Sequence, residues 1–202
     1  MINKSIWWEK TVEYKFVLDA ARDRGLDFAV PLAGIQESAG DGIFSADAKI
    51  ILVEFKRSSH ELVTESDKFI SYETAANELS SQDGHHFLIY GECPAKGGLT
   101  LQLRACTYFS RVYVQNSVDV LSKGLEPTAF KEYLVKLLAQ KKVDGRSSGT
   151  VDPESVASAF GVSPRGAEAV SLSEYCRIAM PNLFPKQSDV HIDKPSAPSF
   201  GF

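Results

Sequence analysis

The sequence predicts an α/β fold: a mixed central sheet flanked by helices, with a C-terminal helical appendage and a flexible tail. Three observations carry that expectation. A stretch free of Gly and Pro with helical spacing opens the chain. A β-branched, wholly apolar run, Ile50–Phe55 broken only by Glu54, is its strongest strand. Helical and extended periodicities then alternate to about residue 143. A chain of 202 residues is long enough to bury a full core, so the expected organisation is one main domain over 1–143, a linker over 144–151, a helical appendage over 152–180 and a tail over 181–202.

Taken in order, Ser5 is a good helix N-cap, nothing up to Arg24 breaks a helix, and Gly25 is a natural stop. Phe16, Val17 and Ala20 form an apolar stripe that Glu9 and Glu13 extend towards the N-terminus. Residues 28–33 form a short apolar run that Pro31 confines to an edge or irregular strand. Gly34, Gly40 and Gly42 follow, then Ile43-Phe44-Ser45 and, after a turn at 46–49, the strand ending Glu54-Phe55-Lys56. Residues 64–80 predict a helix with Phe69, Tyr72, Ala76 and Leu79 on one side, and 86–91 a buried strand. Leu99, Leu101, Leu103 and Ala105 alternate with polar residues, giving a strand with one wet face, and Val112–Val114 predicts another. Pro127 opens a helix to about Lys141. Residues 144–150 are a polar, Gly- and Ser-rich linker, and the tail from Pro181 is rich in Pro and Ser. Val156–Ser163 loosely resembles the first helix of a helix-turn-helix, but Pro164 and Gly166 are awkward in what would follow, which favours a helical hairpin or partner-docking element.

A net charge of −4 argues against a general polyanion-coating protein while leaving room for a metal site, which itself needs carboxylates. Cys93, Cys106 and Cys176 are scattered and odd in number, so neither a disulfide framework nor a zinc spacing is visible. Charges interrupt the first residues before any apolar run forms, and no stretch approaches the roughly 20 apolar residues of a membrane span. The expectation is a cytoplasmic protein that makes no membrane contact.

The chemistry concentrates on one strand end. Side chains two apart on a strand share a face, so Glu54 and Lys56 point one way and Phe55 points into the core. Because Leu52 shares the face of Glu54, this end of the strand is expected to be central rather than peripheral. A hairpin centred between Asp47 and Ala48 puts Asp41 directly across from Glu54, with opposed Cβ atoms about 4.5–5.5 Å apart. Two carboxylates at that separation repel each other unless a cation fills the gap, and an oxygen-only site favours Mg²⁺ or Mn²⁺.

Gly40-Asp41-Gly42-Ile43-Phe44-Ser45 followed by Ile51-Leu52-Val53-Glu54-Phe55-Lys56 resembles the signature of the PD-(D/E)XK nuclease superfamily, which has an αβββαβ restriction-endonuclease-like core. The resemblance covers the first half of the chain, to about Gly91. It implies that Asp41 and Glu54 are metal ligands, that Lys56 is the catalytic lysine, and that the Phe55 main-chain carbonyl completes the metal shell. It also implies a glutamate from the first helix; Glu13 is the first candidate, because it shares the apolar stripe, and Glu9 the second. Gly40 stands where the motif usually has proline. A branch related to the RecB exonuclease carries Gln and Tyr four residues apart on the second helix; Lys68 and Tyr72 hold that spacing here, a departure from the branch. Lys68, Tyr72 and Arg57 are the candidate nucleic-acid contacts.

The expected function is Mg²⁺-dependent hydrolysis of phosphodiester bonds, in DNA first, with RNA open to the same chemistry. An acidic chain of this size has little surface for gripping a duplex, so a second protomer or a partner protein is expected. The alternative is a catalytically silent subunit of the same fold in a nucleic-acid-processing or phage-defence complex. His85-His86, His60 and the basic cluster Lys141, Lys142 and Arg146 are weaker candidates. For these, a strand entrance, a solvated loop and complementation of a helix C-terminus are the plainer roles.

Overall fold

The computed structural model describes residues 7–25, 47–93, 100–142, 157–164 and 166–183. The expected strands at 28–33 and 43–45, Asp41 itself, the linker with Arg146 and nearly all of the tail lie outside those residues.

Among the described residues, four α-helices, α1 (Glu9–Arg24), α2 (Tyr72–Leu79), α3 (Pro127–Gln140) and α4 (Leu172–Ala179), surround six strands. The strands are β1 (Lys49–Lys56), β2 (His86–Glu92), β3 (Gln102–Thr107), β4 (Tyr113–Val114), β5 (Ala157–Ser163) and β6 (Gly166–Ser171). They form one mixed sheet in the order β4-β3-β2-β1-β5-β6. Among these described strands β1 and β2 run parallel, and every other neighbouring pair is antiparallel. The β1–β2 crossover carries a run of 3-10 turns, Ser59–Lys68, and then α2.

The sheet separates two cores, because alternate residues of β1 face opposite ways. Ile50 and Leu52 pack with Leu79, Phe130, Leu134, Leu137 and Tyr175, the layer of α2, α3 and α4. Ile51, Val53 and Phe55 pack with Val12, Phe16 and Ala20 of α1 and with Val118 and Val120 of the short helical turn Ser117–Ser122. Strand β1 is thus apolar on both faces for the reason its sequence suggests: it is covered on both.

Three sequence expectations change. The helix expected over 64–80 is split, since 3-10 turns end at Lys68 and α2 starts only at Tyr72, where the Ser71 hydroxyl accepts from the Thr74 amide. Side chains compete for the carbonyls in the first part: the Thr64 and Ser66 hydroxyls donate to the Glu61 and Val63 carbonyls. Helix α1 starts at Glu9, and Val12 rather than Glu13 precedes Phe16 on its buried row.

The largest correction lies at the C-terminal end. Of the segment expected to be helical over 152–180, including the stretch resembling a helix-turn-helix, the described residues from Ala157 on form a β-hairpin followed by α4. Ser163 pairs with Gly166, whose φ of 147° suits glycine, and Pro164 opens the two-residue connection. Strand β5 then lies against β1, with Lys49 opposite Val162 and Glu54 opposite Ala157. Small residues let β5 lie flat there, and Phe160 anchors it edge-on to Phe16 and Phe55.

If β5 and β6 are integral to the sheet, Phe160→Ala destabilises the whole fold by about 3–5 kcal/mol, read by urea denaturation as one cooperative transition. Loss of the C-terminal segment alone, with the rest of the transition unmoved, would contradict that integration.

Candidate active site

The site is assembled at the C-terminal end of β1. Glu54 and Lys56 share the face of Ile50 and Leu52, as strand parity requires, and both are buried, Glu54 with 1% of its surface exposed. Both ladder edges of β1 are filled at Glu54, by Leu88 of β2 and Ala157 of β5. The expected hairpin register, with Asp41 directly across from Glu54, is therefore not the pairing found: Ala157 holds that antiparallel position.

Two cations meet the Glu54 carboxylate. Lys68 Nζ lies 2.7 Å from Oε2 and Lys141 Nζ 3.5 Å from Oε1. Burial pushes the Glu54 pKa up, but Lys141 and Lys68 more than offset it and hold this carboxyl well below the usual range. Lys68 feels the converse: burial favours its neutral form, yet the carboxylates of Glu54 and Glu65 raise its pKa.

A second buried carboxylate, Glu65, completes the centre. It is 0% exposed and accepts a 2.6 Å hydrogen bond from the Tyr108 hydroxyl at Oε2. Lys68 Nζ is 2.9 Å from the same oxygen, so one ammonium bridges Glu54 and Glu65. Lys56 Nζ lies 2.7 Å from Glu65 Oε1 and 3.9 Å from Glu9 Oε1. Glu65 Oε1 nevertheless accepts no hydrogen bond. Residues three apart eclipse in 3-10 turns, so Glu65 and Lys68 rise on one row and reach the strand end together.

Local folding explains the remaining placements. The Lys68–Ile70 backbone is stitched to the end of α3: Ile70 N donates to Gln140 O at 3.0 Å and Lys142 N to Lys68 O at 2.9 Å. That stitch sets Lys141 beside Glu54 and over the Phe69 ring, 5.8 Å from its centroid. At the other side, the Trp7 indole donates to the Arg57 carbonyl at 2.6 Å and lies against Gly91, where a Cβ would come within 2.2 Å of Trp7 Nε1. This contact fixes the start of α1 and brings Glu9 towards Lys56.

The other sequence candidates fall as follows. Glu13 pairs with Lys10 at 2.7 Å on the helix surface, so Glu9 is the first-helix glutamate that reaches the site. Lys68 lies at the centre. Tyr72 packs edge-on against Phe69 and at a tilt against Phe109, while exposed Arg57 pairs with Glu61. The amides of Ile50 and Leu52 bond on the β2 side, so alternation turns the Phe55 carbonyl to the opposite edge, just beyond Ala157.

His85 and His86 are buried under α3. His86 stacks on Tyr108 with centroids 4.1 Å apart, and its Nδ1 is 2.9 Å from the Tyr133 hydroxyl. Burial lowers the pKa of both, that of His85 to about 4.

Sequence reasoning missed Glu65, Tyr108 and the site role of Lys141. Glu65 and Lys68 carried a visible signal, an i,i+3 pair of opposite charge just before Phe69. Tyr108 carried none. Among the described residues, no three His, Cys, Asp or Glu side chains cluster as a metal site; the central carboxylates are two, Glu54 and Glu65. Their oxygen-only chemistry fits a hard divalent cation, and Glu65 Oε1, ion-paired with Lys56 but outside hydrogen-bond geometry, keeps lone-pair capacity for one. No helix among the described residues is long and apolar enough to cross a membrane. Comparison of the chain with family models, curated proteins and solved structures returns no match.

The buried histidines set an acid sensitivity. Each has a folded-state pKa below its unfolded value of 6.5, so the unfolded chain binds the proton first and stability falls with pH through that range. For His85 the loss runs from about 6.5 down to about 4. The stability that Glu54 contributes is present above its unfolded value of 4.5 and is lost at lower pH still. Urea midpoints should therefore drop from pH 7 to pH 4.5, and His85→Phe, which keeps the ring packing, should flatten the slope. An unchanged slope would remove His85 from this account.

Proposed function

We propose that the chain is a divalent-metal-dependent phosphodiester hydrolase acting on DNA, with Glu54 and Lys56 at its centre. The observation that carries this reading is the burial of Glu54 and Lys56, two apart on one face of β1, beside a second buried carboxylate. Burying charges costs several kcal/mol per ion before pairing recovers it, so an inert scaffold gains little from this cluster. The resemblance of residues 40–56 to the PD-(D/E)XK signature supports the same reading.

Glu54 and Glu65 would hold Mg²⁺ or Mn²⁺, with Asp41 and the Phe55 carbonyl as the further ligands the motif implies. When bound, the metal would supply Lewis acidity to activate water and positive charge for the phosphate oxygens. Lys56 is held between Glu65 and Glu9, from where its ammonium would neutralise charge on the attacked phosphate or hold the attacking water. Lys68 and Lys141, the more exposed cations, would meet the phosphate backbone. RNA offers the same linkage, and a second protomer or basic partner would supply the wider grip that a net charge of −4 does not.

One observation favours the catalytically silent alternative: Glu54 is already neutralised by Lys68 and Lys141 from the chain itself. In that reading the cluster is an internal ion-pair network in a binding or assembly subunit.

Plasmid and single-stranded DNA incubated with Mg²⁺ separate the two. The hydrolase reading expects cleavage by the wild-type chain, abolished by EDTA and reduced about 100-fold or more in Glu54→Gln and Lys56→Ala. A folded wild-type chain that cleaves neither substrate, with Mg²⁺ or Mn²⁺, would establish the silent reading instead.

A further inference from the structure

The bridge made by Lys68 has a consequence for how a metal would enter. Its ammonium touches both central carboxylates, at 2.7 Å from Glu54 Oε2 and 2.9 Å from Glu65 Oε2. A small cation joining the same two groups would need the same space. Three lysines serve this cluster, but they differ in reach. The Lys68 side chain is 33% exposed, against 14% for Lys141 and 9% for Lys56. Lys68 also stands on the last of the 3-10 turns, so its flexible stem runs inward from the surface and has solvent to return to.

Charge counting points the same way. Glu9, Glu54 and Glu65 balance Lys56, Lys68 and Lys141. A divalent ion added to that neutral set brings two positive charges into a site with little solvent, and withdrawal of one ammonium removes part of the excess. Glu65 Oε1 is buried and ion-paired with Lys56 at 2.7 Å without hydrogen-bond geometry, so it keeps lone-pair capacity for a further ligand.

We propose that Lys68 competes with a divalent cation for Glu54 and Glu65, so that its side chain swings outward when the metal binds and inward when it leaves. Lys68 is then a positioning residue that sets the metal concentration at which the site works, and Glu65 is a metal ligand outside the recognised motif. The inference rests on the hydrolase reading.

Mn²⁺ binding to the full chain, followed by the paramagnetic signal of the free ion, tests it. Lys68→Met keeps the stem and removes the charge; it should bind Mn²⁺ about tenfold or more tightly than the wild type. Adding Glu65→Gln to Lys68→Met should cancel the gain. Lys68→Arg, which keeps a cation, should show no gain. Because Lys68→Met leaves two buried carboxylates short of a partner and threatens folding, a second measurement uses the unaltered chain. Acetylation of Lys68 by an amine-reactive reagent, read by mass spectrometry against Lys142, should accelerate several-fold on adding Mg²⁺. Equal Mn²⁺ affinity in wild type and Lys68→Met, or a Lys68 acetylation rate indifferent to Mg²⁺, would overturn the competition while leaving a metal-binding, DNA-cleaving wild type in place. No Mn²⁺ bound at millimolar concentration by either folded protein, with no cleavage, would overturn both.

Discussion

A carboxylate with 1% exposure at the end of a strand paired on both sides has to be neutralised from within the protein, and the position of Glu54 governs much of what surrounds it. Its neighbours in the ladders, Leu88 and Ala157, are apolar and offer no charge. The compensating cations come from two segments distant in sequence, the 3-10 run before α2 and the end of α3. Both segments stop where they do because they are joined there: Phe69 and Lys141 form an isolated antiparallel bridge. Removing one partner of such a buried pair costs about 3–5 kcal/mol, so this end of the fold and the candidate site are one energetic unit.

The opposite side of the cluster is fixed by packing rather than charge. Trp7 rests on Gly91 of β2, the only residue type that leaves room for the indole, and reaches the carbonyl that follows Lys56. Through that contact the start of α1, and with it Glu9, is held at the end of β1, although α1 packs against the other face of the sheet. A site at the end of β1 can therefore draw residues from both helical layers. Lys56, between Glu65 from one layer and Glu9 from the other, is where the two meet.

Strand β1 was legible in the sequence because an uninterrupted β-branched run has few alternatives, and parity then put Glu54 and Lys56 on one face without any tertiary information. Helix α3 was legible from Pro127 and its apolar spacing. Strands β5 and β6 were not: Ala157, Ser158, Ala159 and Ala167, Ala169 are small residues with no strong strand preference, and pairing decides their state, β5 on β1 and β6 on β5. The two residues that counted against a helix there, Pro164 and Gly166, were the hairpin signal. Choosing Glu13 over Glu9 failed on a finer point: both extend the stripe of Phe16 and Ala20, but helix phase alone does not say which turn lies level with a strand end. Glu65 and Tyr108 met only through the fold, 43 residues apart in sequence.

The same cluster suits either reading of the chain because a lysine ammonium and a hard metal ion satisfy a carboxylate by the same electrostatics. What separates them is geometry and valence. An ammonium donates hydrogen bonds and carries one charge on a flexible stem, so it holds two carboxylates without demanding further ligands. A divalent ion demands more oxygens than two carboxylates supply, and Mg²⁺ meets that demand with water and phosphate oxygens. Glu54 and Glu65 alone thus make a good seat for Lys68 and an incomplete one for a metal. Substrate phosphate would complete it, so on the proposed reading bound metal and bound substrate would each strengthen the other. In this arrangement the lysine holds the two carboxylates, which would otherwise repel, at one spacing within the folded chain.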